Sequence, residues 1–346
     1  MNKAFFIEKK VRGGLIPWVI VMSMLTGCAS LQTKEEGETA VPSTGLSEKI
    51  QKHRTGRFSS NQLKSDAYYN FLLAEMKIAE RQYKEAVEIY QKAIGYDPSS
   101  PFLYKSLALA YVMAGKMTEA IQACKDALSI DPDYIKARML LGKFYSNISK
   151  KDLAIEQYQK VIKIDPKKEA AYVSLGATYL ELGLKEKALE TYEALTNINA
   201  YSFRGNYFLG KIYFGNKLYV KAAEYFKKAV EINRRSLIAR ENLAQSYLVI
   251  KDYDRAIEVY KKMFEDNPGN PRIYNRLGEI YIKKKSPEEA LELFKKVKEA
   301  NPQNISILLK IGSVYYDQKE YDKALEYFNE AHDLKPDNVL ANYYLG

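Results

Sequence analysis

The stretch "PRIYNRLGEIYIKKKSPEEALELFKKVKEANPQN", Pro271 to Asn304, is 34 residues long and decides the fold. Leu277 and Gly278 stand seventh and eighth in it, Tyr281 eleventh, Ala290 twentieth, Phe294 twenty-fourth and Pro302 thirty-second. The same order recurs without insertion or deletion in units that begin at Ala67, Pro101, Ile135, Glu169, Phe203, Leu237, Pro271 and Ile305. The twentieth residue is alanine in all eight, from Ala86 to Ala324. The eighth is Ala74, Ala108, Gly142, Gly176, Gly210, Ala244, Gly278 and Gly312. A fixed period of this length is the signature of a stacked repeat.

Within a unit, apolar residues recur at helical spacing on both sides of a short break near Gly115, Gly183 or Asp252-Tyr253. Each unit therefore reads as two helices of roughly fourteen residues joined by a turn. The small eighth and twentieth residues predict close approach of the two helix backbones, with the aromatics filling the wedge toward the next pair. Proline ends the second helix because it lacks an N–H and clashes with the preceding turn. One pair cannot bury its own apolar face, so neighbours must stack.

Length and residue pattern resemble the tetratricopeptide repeat, over Ala67 to the end of the chain. The resemblance implies an all-α fold, a right-handed α-solenoid of eight helix-turn-helix units: 67–100, 101–134, 135–168, 169–202, 203–236, 237–270, 271–304 and 305–338. Residues 339–346 begin a ninth unit or form a cap, and a chain that continues further is expected. Ala200 and Arg234 replace the closing proline, which predicts a looser or bent junction between them. Cys124 takes the aromatic twenty-fourth place of its unit and reads as a buried core thiol.

The resemblance also implies a concave groove lined by the first helices, which binds extended peptides or helices. Units one to four offer a mainly apolar lining, including Tyr68, Phe71, Phe102, Lys105, Met139 and Lys143. Units five to seven offer Tyr207, Lys211, Asn242, Arg272, Asn275 and Arg276, with Glu241 and Glu279 among them. In part this set resembles the two-carboxylate clamp of chaperone-binding members. Asn242 and Arg276 match in type and place, and Arg272 stands for a lysine. Tyr207 and Lys211 depart from the clamp's first lysine and asparagine. An acidic or C-terminal carboxylate peptide around Lys211, Asn242, Arg272 and Arg276 is one expectation; solvated residues paired with Glu241 and Glu279 are the other.

Ahead of the repeats, Lys3, Lys9, Lys10 and Arg12 precede an apolar run, Leu15 to Leu25. Basic start, apolar core and small-residue exit describe a signal peptide over 1–27, with a core too short to span a bilayer. Leu25-Thr26-Gly27-Cys28 resembles the lipobox of bacterial lipoproteins, which implies lipidation at Cys28 and a membrane-anchored chain. Ala29 and Ser30 follow in place of aspartate, which in that family implies the periplasmic face of the outer membrane. Residues 28–66 are polar and broken by Gly37, Pro42, Gly45 and Gly56, and read as a flexible linker spanning roughly 30–37 Å.

Several functions are disfavoured by composition. His53 and His332 are the two histidines, and neither phosphate-loop, zincin nor nucleophile-elbow motifs occur. No catalytic residue, metal or cofactor is expected, and no small-molecule substrate. The net charge of +10 is dispersed, without the concentrated basic stripe that nucleic-acid binding requires. The expected function is a non-catalytic scaffold for protein partners at the cell envelope, in assembly of a pilus, secretion channel, outer-membrane barrel, polysaccharide-export or cell-wall machine. Two alternatives stand beside it. One is the substrate-docking arm of an enzyme whose catalytic domain lies beyond Gly346; the other is a soluble co-chaperone.

Overall fold

The computed structural model describes residues 60–346, and these form seventeen α-helices with no strand among them. They are α1 (Ser60–Ala79), α2 (Tyr83–Tyr96), α3 (Pro101–Met113), α4 (Met117–Ile130), α5 (Ile135–Asn147), α6 (Lys151–Ile164), α7 (Glu169–Glu181) and α8 (Lys185–Ile198). The chain continues through α9 (Phe203–Gly215), α10 (Tyr219–Ile232), α11 (Leu237–Val249), α12 (Tyr253–Asp266), α13 (Pro271–Lys283) and α14 (Pro287–Ala300). It closes with α15 (Ile305–Asp317), α16 (Tyr321–Leu334) and α17 (Val339–Leu345). Odd-numbered helices are the first of each pair. Each packs on the helices next to it in the chain, and α5 also touches α3 and α7 directly. Phe58–Gly346 forms one compact unit that holds all seventeen helices. In nearest-neighbour stacking of this kind, that segment keeps every contact of its own core.

The signal peptide, Cys28 and linker residues 28–59 lie outside the described residues. Part of the linker reading needs correction. Residues 60–66 are helical and extend α1 to 20 residues. No glycine or proline stands between Gly56 and Gly95, so nothing stops the helix from propagating toward the N-terminus. The Asn70 side chain bonds back to the Asp66 carbonyl at 2.8 Å within this extension.

Every turn inside a pair is built alike. Its key residue has positive φ: Arg81, Gly115, Ser149, Gly183, Lys217, Lys251, Lys285 and Lys319. In one such turn the Lys217 N–H donates to Phe214 at 3.0 Å and the Leu218 N–H to Tyr213 at 2.9 Å. This is the Schellman arrangement, which caps the last carbonyls of the first helix and requires a left-handed residue.

The small eighth residue turns out to serve a different neighbour from the one expected. A Cβ added to Gly278 would sit 2.2 Å from the Phe294 ring, and one added to Gly142 2.6 Å from the Tyr158 ring. The eighth residue thus makes room for the twenty-fourth side chain of its own pair. The Gly278→Ala change is expected to cost about 1–3 kcal/mol by overpacking, read as a lower urea midpoint. Combined with Phe294→Leu it should cost less than the sum, because the two side chains share one space. Additive losses would show that they do not.

Neighbouring units are tied by polar bonds at two recurrent places. The eleventh tyrosine meets the twenty-fifth residue of the preceding unit: Tyr111 with Gln91 at 2.9 Å, Tyr213 with Glu193 at 3.0 Å, Tyr315 with Lys295 at 2.8 Å. The fourth residue reaches the carbonyl six residues earlier, as Tyr172 does to Pro166 and Asn342 to Pro336, both at 3.0 Å. The junction at Ala200 is no looser than the rest. Buried Ser202 accepts from the Gly205 N–H at 2.9 Å, and Asn206 donates to Ala200 at 3.0 Å and to Ser202 at 2.9 Å. These bonds hold the loop where proline is missing. Cys124 is free and fully buried, and burial pushes its thiol up to about 12.

Candidate functional site

Direct contact of α5 with α3 and with α7 sets the first helices of these units side by side on one face of the stack. At its N-terminal end this surface is aromatic. Phe71 lies 6.2 Å from Tyr68 and 5.1 Å from Phe102, with the Lys105 ammonium 4.6 Å over the Phe102 ring. Burial lowers the Lys105 pKa.

The polar stretch lies on α9, α11 and α13. Tyr207 is half-buried, its ring 5.9 Å from Phe203, 5.6 Å from Phe208 and 5.8 Å from Phe226. Its phenol is pushed up by burial, and the Asn242 amide opposes that shift. Asn242 donates to the Tyr207 hydroxyl at 3.4 Å and to its own helix at Ile238 at 2.7 Å. Lys211 is exposed and makes no side-chain hydrogen bond or ion pair with Tyr207, Asn242, Arg272 or Arg276.

Both arginines meet carboxylates. Arg272 on α13 reaches across to Glu241 on α11 at 3.0 Å, and Arg276 pairs with Glu279 one turn further along at 3.0 Å. Arg272 and Arg276 stay largely exposed, so each pair is worth only about 0–1 kcal/mol. Tyr260 of α12 feels all four charges. Burial raises its phenol first, Glu241 and Glu279 add to that, and Arg276 and Arg272 oppose it.

Asn275 is placed between the two arginines in sequence, and its Oδ1 is buried without a hydrogen-bond partner. A buried acceptor left unpaired costs about 1–3 kcal/mol. Nothing in the sequence singled out this atom, because it depends on how α13 seats against its neighbours. The Glu241–Arg272 pair was foreseeable only as one of two options. Among the described residues, no group of three or more His, Cys, Asp or Glu side chains could hold a metal ion.

Family models agree with this architecture. Tetratricopeptide-repeat models match residues 77–144 and 251–310, 169–201 and 203–236, and 305–338, and a TPR-repeat model matches 150–183. The chain belongs to the tetratricopeptide-repeat family. Proteins built from this repeat generally mediate protein–protein interaction, and the fold is typically a non-catalytic scaffold.

Among solved structures, the C-terminal part of a TPR repeat-containing protein from Cytophaga hutchinsonii is 22% identical, with a TM-score of 0.51; the match covers 80% of this chain and 99% of that one. A tetratricopeptide repeat protein from Parabacteroides merdae is 20% identical over 71% of this chain and 97% of that one, with a TM-score of 0.44. PilF of Pseudomonas aeruginosa is 16% identical over 64% and 99%, with a TM-score of 0.48. No curated protein matches the chain in sequence.

Proposed function

We propose that this chain is a lipid-anchored, non-catalytic scaffold that holds a peptide or helical segment of envelope proteins along its first-helix groove. Cys28 at the end of a lipobox-like signal supports anchorage, and Ala29 supports the periplasmic face of the outer membrane. There it would assist assembly of an envelope machine. The observation that carries the binding reading is the pair of exposed guanidinium groups on one first helix, Arg272 held only by Glu241 and Arg276 only by Glu279. A peptide carboxylate would exchange for Glu241 or Glu279 on the guanidinium groups.

The reading is tested by affinity capture from detergent-solubilised host membranes with the full chain, then with Arg272→Ala/Arg276→Ala. A stoichiometric set of envelope proteins should be recovered by the parent and lost by the variant. The affinity of the recovered partner's acidic segment should fall about tenfold or more, as expected for losing charge-assisted bonds. Glu241→Gln should instead tighten it several-fold by releasing Arg272. Unchanged affinity in both variants would sink the groove assignment. An N-terminal mass lacking acyl chains would sink the anchor.

A further inference from the structure

Eight turns in this chain require a left-handed residue, and only two use glycine, Gly115 at φ 77° and Gly183 at φ 74°. In four consecutive units the place is taken by lysine: Lys217, Lys251, Lys285 and Lys319, with φ of 60–63°. An L side chain pays for that conformation, so a run of lysines at the same strained place invites a functional explanation. Meeting the negative end of the first helix's dipole recovers part of the cost. All four are exposed and none has an ion-pair or hydrogen-bond partner through its side chain among the described residues.

Of the acids at the same turns, four are engaged, while Glu289, Asp317 and Asp322 are exposed without an ion-pair partner. Asp252 pairs with Arg255 at 3.1 Å, Asp254 with Lys284 at 2.6 Å, and Glu320 with Lys323; Glu288 accepts from Gln318 at 3.0 Å. The four lysines stand at equivalent places in successive units, a single file of exposed, unpaired ammonium groups along one edge of the stack. Apolar side chains stand beside them in the open: Leu218 is 49% exposed, Val220 60% and Tyr321 52%. A soluble polyanion has no use for such neighbours. An interface of charged headgroups over hydrocarbon does, because lysines keep their ammonium groups in water while apolar side chains enter below.

We propose that this edge, formed by the turns of units five to eight, docks the solenoid onto the anionic phospholipid headgroups of a membrane. The proposal goes beyond the groove reading and is independent of Cys28, since the contacts belong to the repeats themselves.

The test is co-sedimentation of the Phe58–Gly346 segment, which lacks Cys28, with vesicles of phosphatidylglycerol and phosphatidylcholine, against phosphatidylcholine alone. Binding should require phosphatidylglycerol and weaken as salt rises. Each lysine near an anionic surface is worth about fivefold in partitioning. Asparagine tolerates the left-handed conformation without charge, so the four Lys→Asn changes together should lower partitioning by about two to three orders of magnitude at low salt. The melting temperature should change little. Should that variant fail to fold, the four single variants carry the test, each with about a fivefold loss. Ala at Lys262 and Lys296, which pair with Glu258 and Glu292 on second helices, should leave binding unchanged. Equal binding to both vesicles, unaltered binding by the Asn variants, or an equal loss in the Lys262/Lys296 variant would overturn the proposal. So would binding to polyglutamate with none to vesicles, which would make the edge a dock for acidic polypeptide instead.

Discussion

Phe294→Ala is expected to destabilise the repeats by about 3–5 kcal/mol. The ring is 1% exposed and lies directly over the Cα of Gly278. Truncation leaves a hole whose opposite wall is helix backbone without a Cβ, so little can relax into it, and the cost should fall at the upper end. The damage should also be local. Because units touch only their neighbours, a weak pair can open while the rest stays folded. Urea unfolding should become biphasic, and amide exchange should accelerate in α13 to α16 first. A uniform, single-step loss below about 1 kcal/mol would show that the ring is not part of the core.

Alkaline unfolding should be steep. Tyr90, Tyr158 and Tyr192 are all buried, and burial pushes each phenol above its ordinary value of 10.0, with Tyr158 reaching about 12. Glu75, which accepts from the Tyr90 hydroxyl, raises that phenol further. A phenol with a raised pKa keeps its proton in the folded chain after the unfolded chain has released it. The unfolded chain then binds fewer protons, and stability falls as pH rises. The contribution is fully present below pH 10 and falls as pH rises above it, the Tyr158 share being lost between about 10 and 12 and the other two continuing to fall beyond. Three such groups give a slope of about 4 kcal/mol per pH unit in that window. The buried Cys124 thiol, raised from 9.0 to about 12, adds to it from a lower pH. Urea midpoints at successive pH values, followed beside tyrosinate absorbance, check this. Tyrosines that all ionise near pH 10 while helicity persists would contradict it.

The repeat itself was legible because its determinants are local and recur. Alanine at the twentieth place and an aromatic at the twenty-fourth report a helix pair wherever they stand 34 residues from the next copy. The start of α1 was less legible. Ser60 to Asp66 are polar except Leu63, and a helix propagates through such residues without an apolar period to announce it. The junction at Ala200 hides its order from the sequence for a related reason. Missing proline was the visible signal, while Ser202 and Asn206 replaced its effect with side-chain hydrogen bonds.

By itself, the sequence determined that the chain is a stack of helix pairs, which residues are small or aromatic in each, and which surface positions vary between units. Those features follow from spacing along one chain and need no knowledge of what lies opposite. Only the tertiary structure decided that Arg272 pairs with Glu241 from 31 residues away, that the Asn275 acceptor is buried without a donor, and that four lysines sit in left-handed turns along one edge. Each depends on where a side chain or backbone torsion comes to rest between two helices. That balance of packing, desolvation and hydrogen bonding is set by the neighbour and not by the residue.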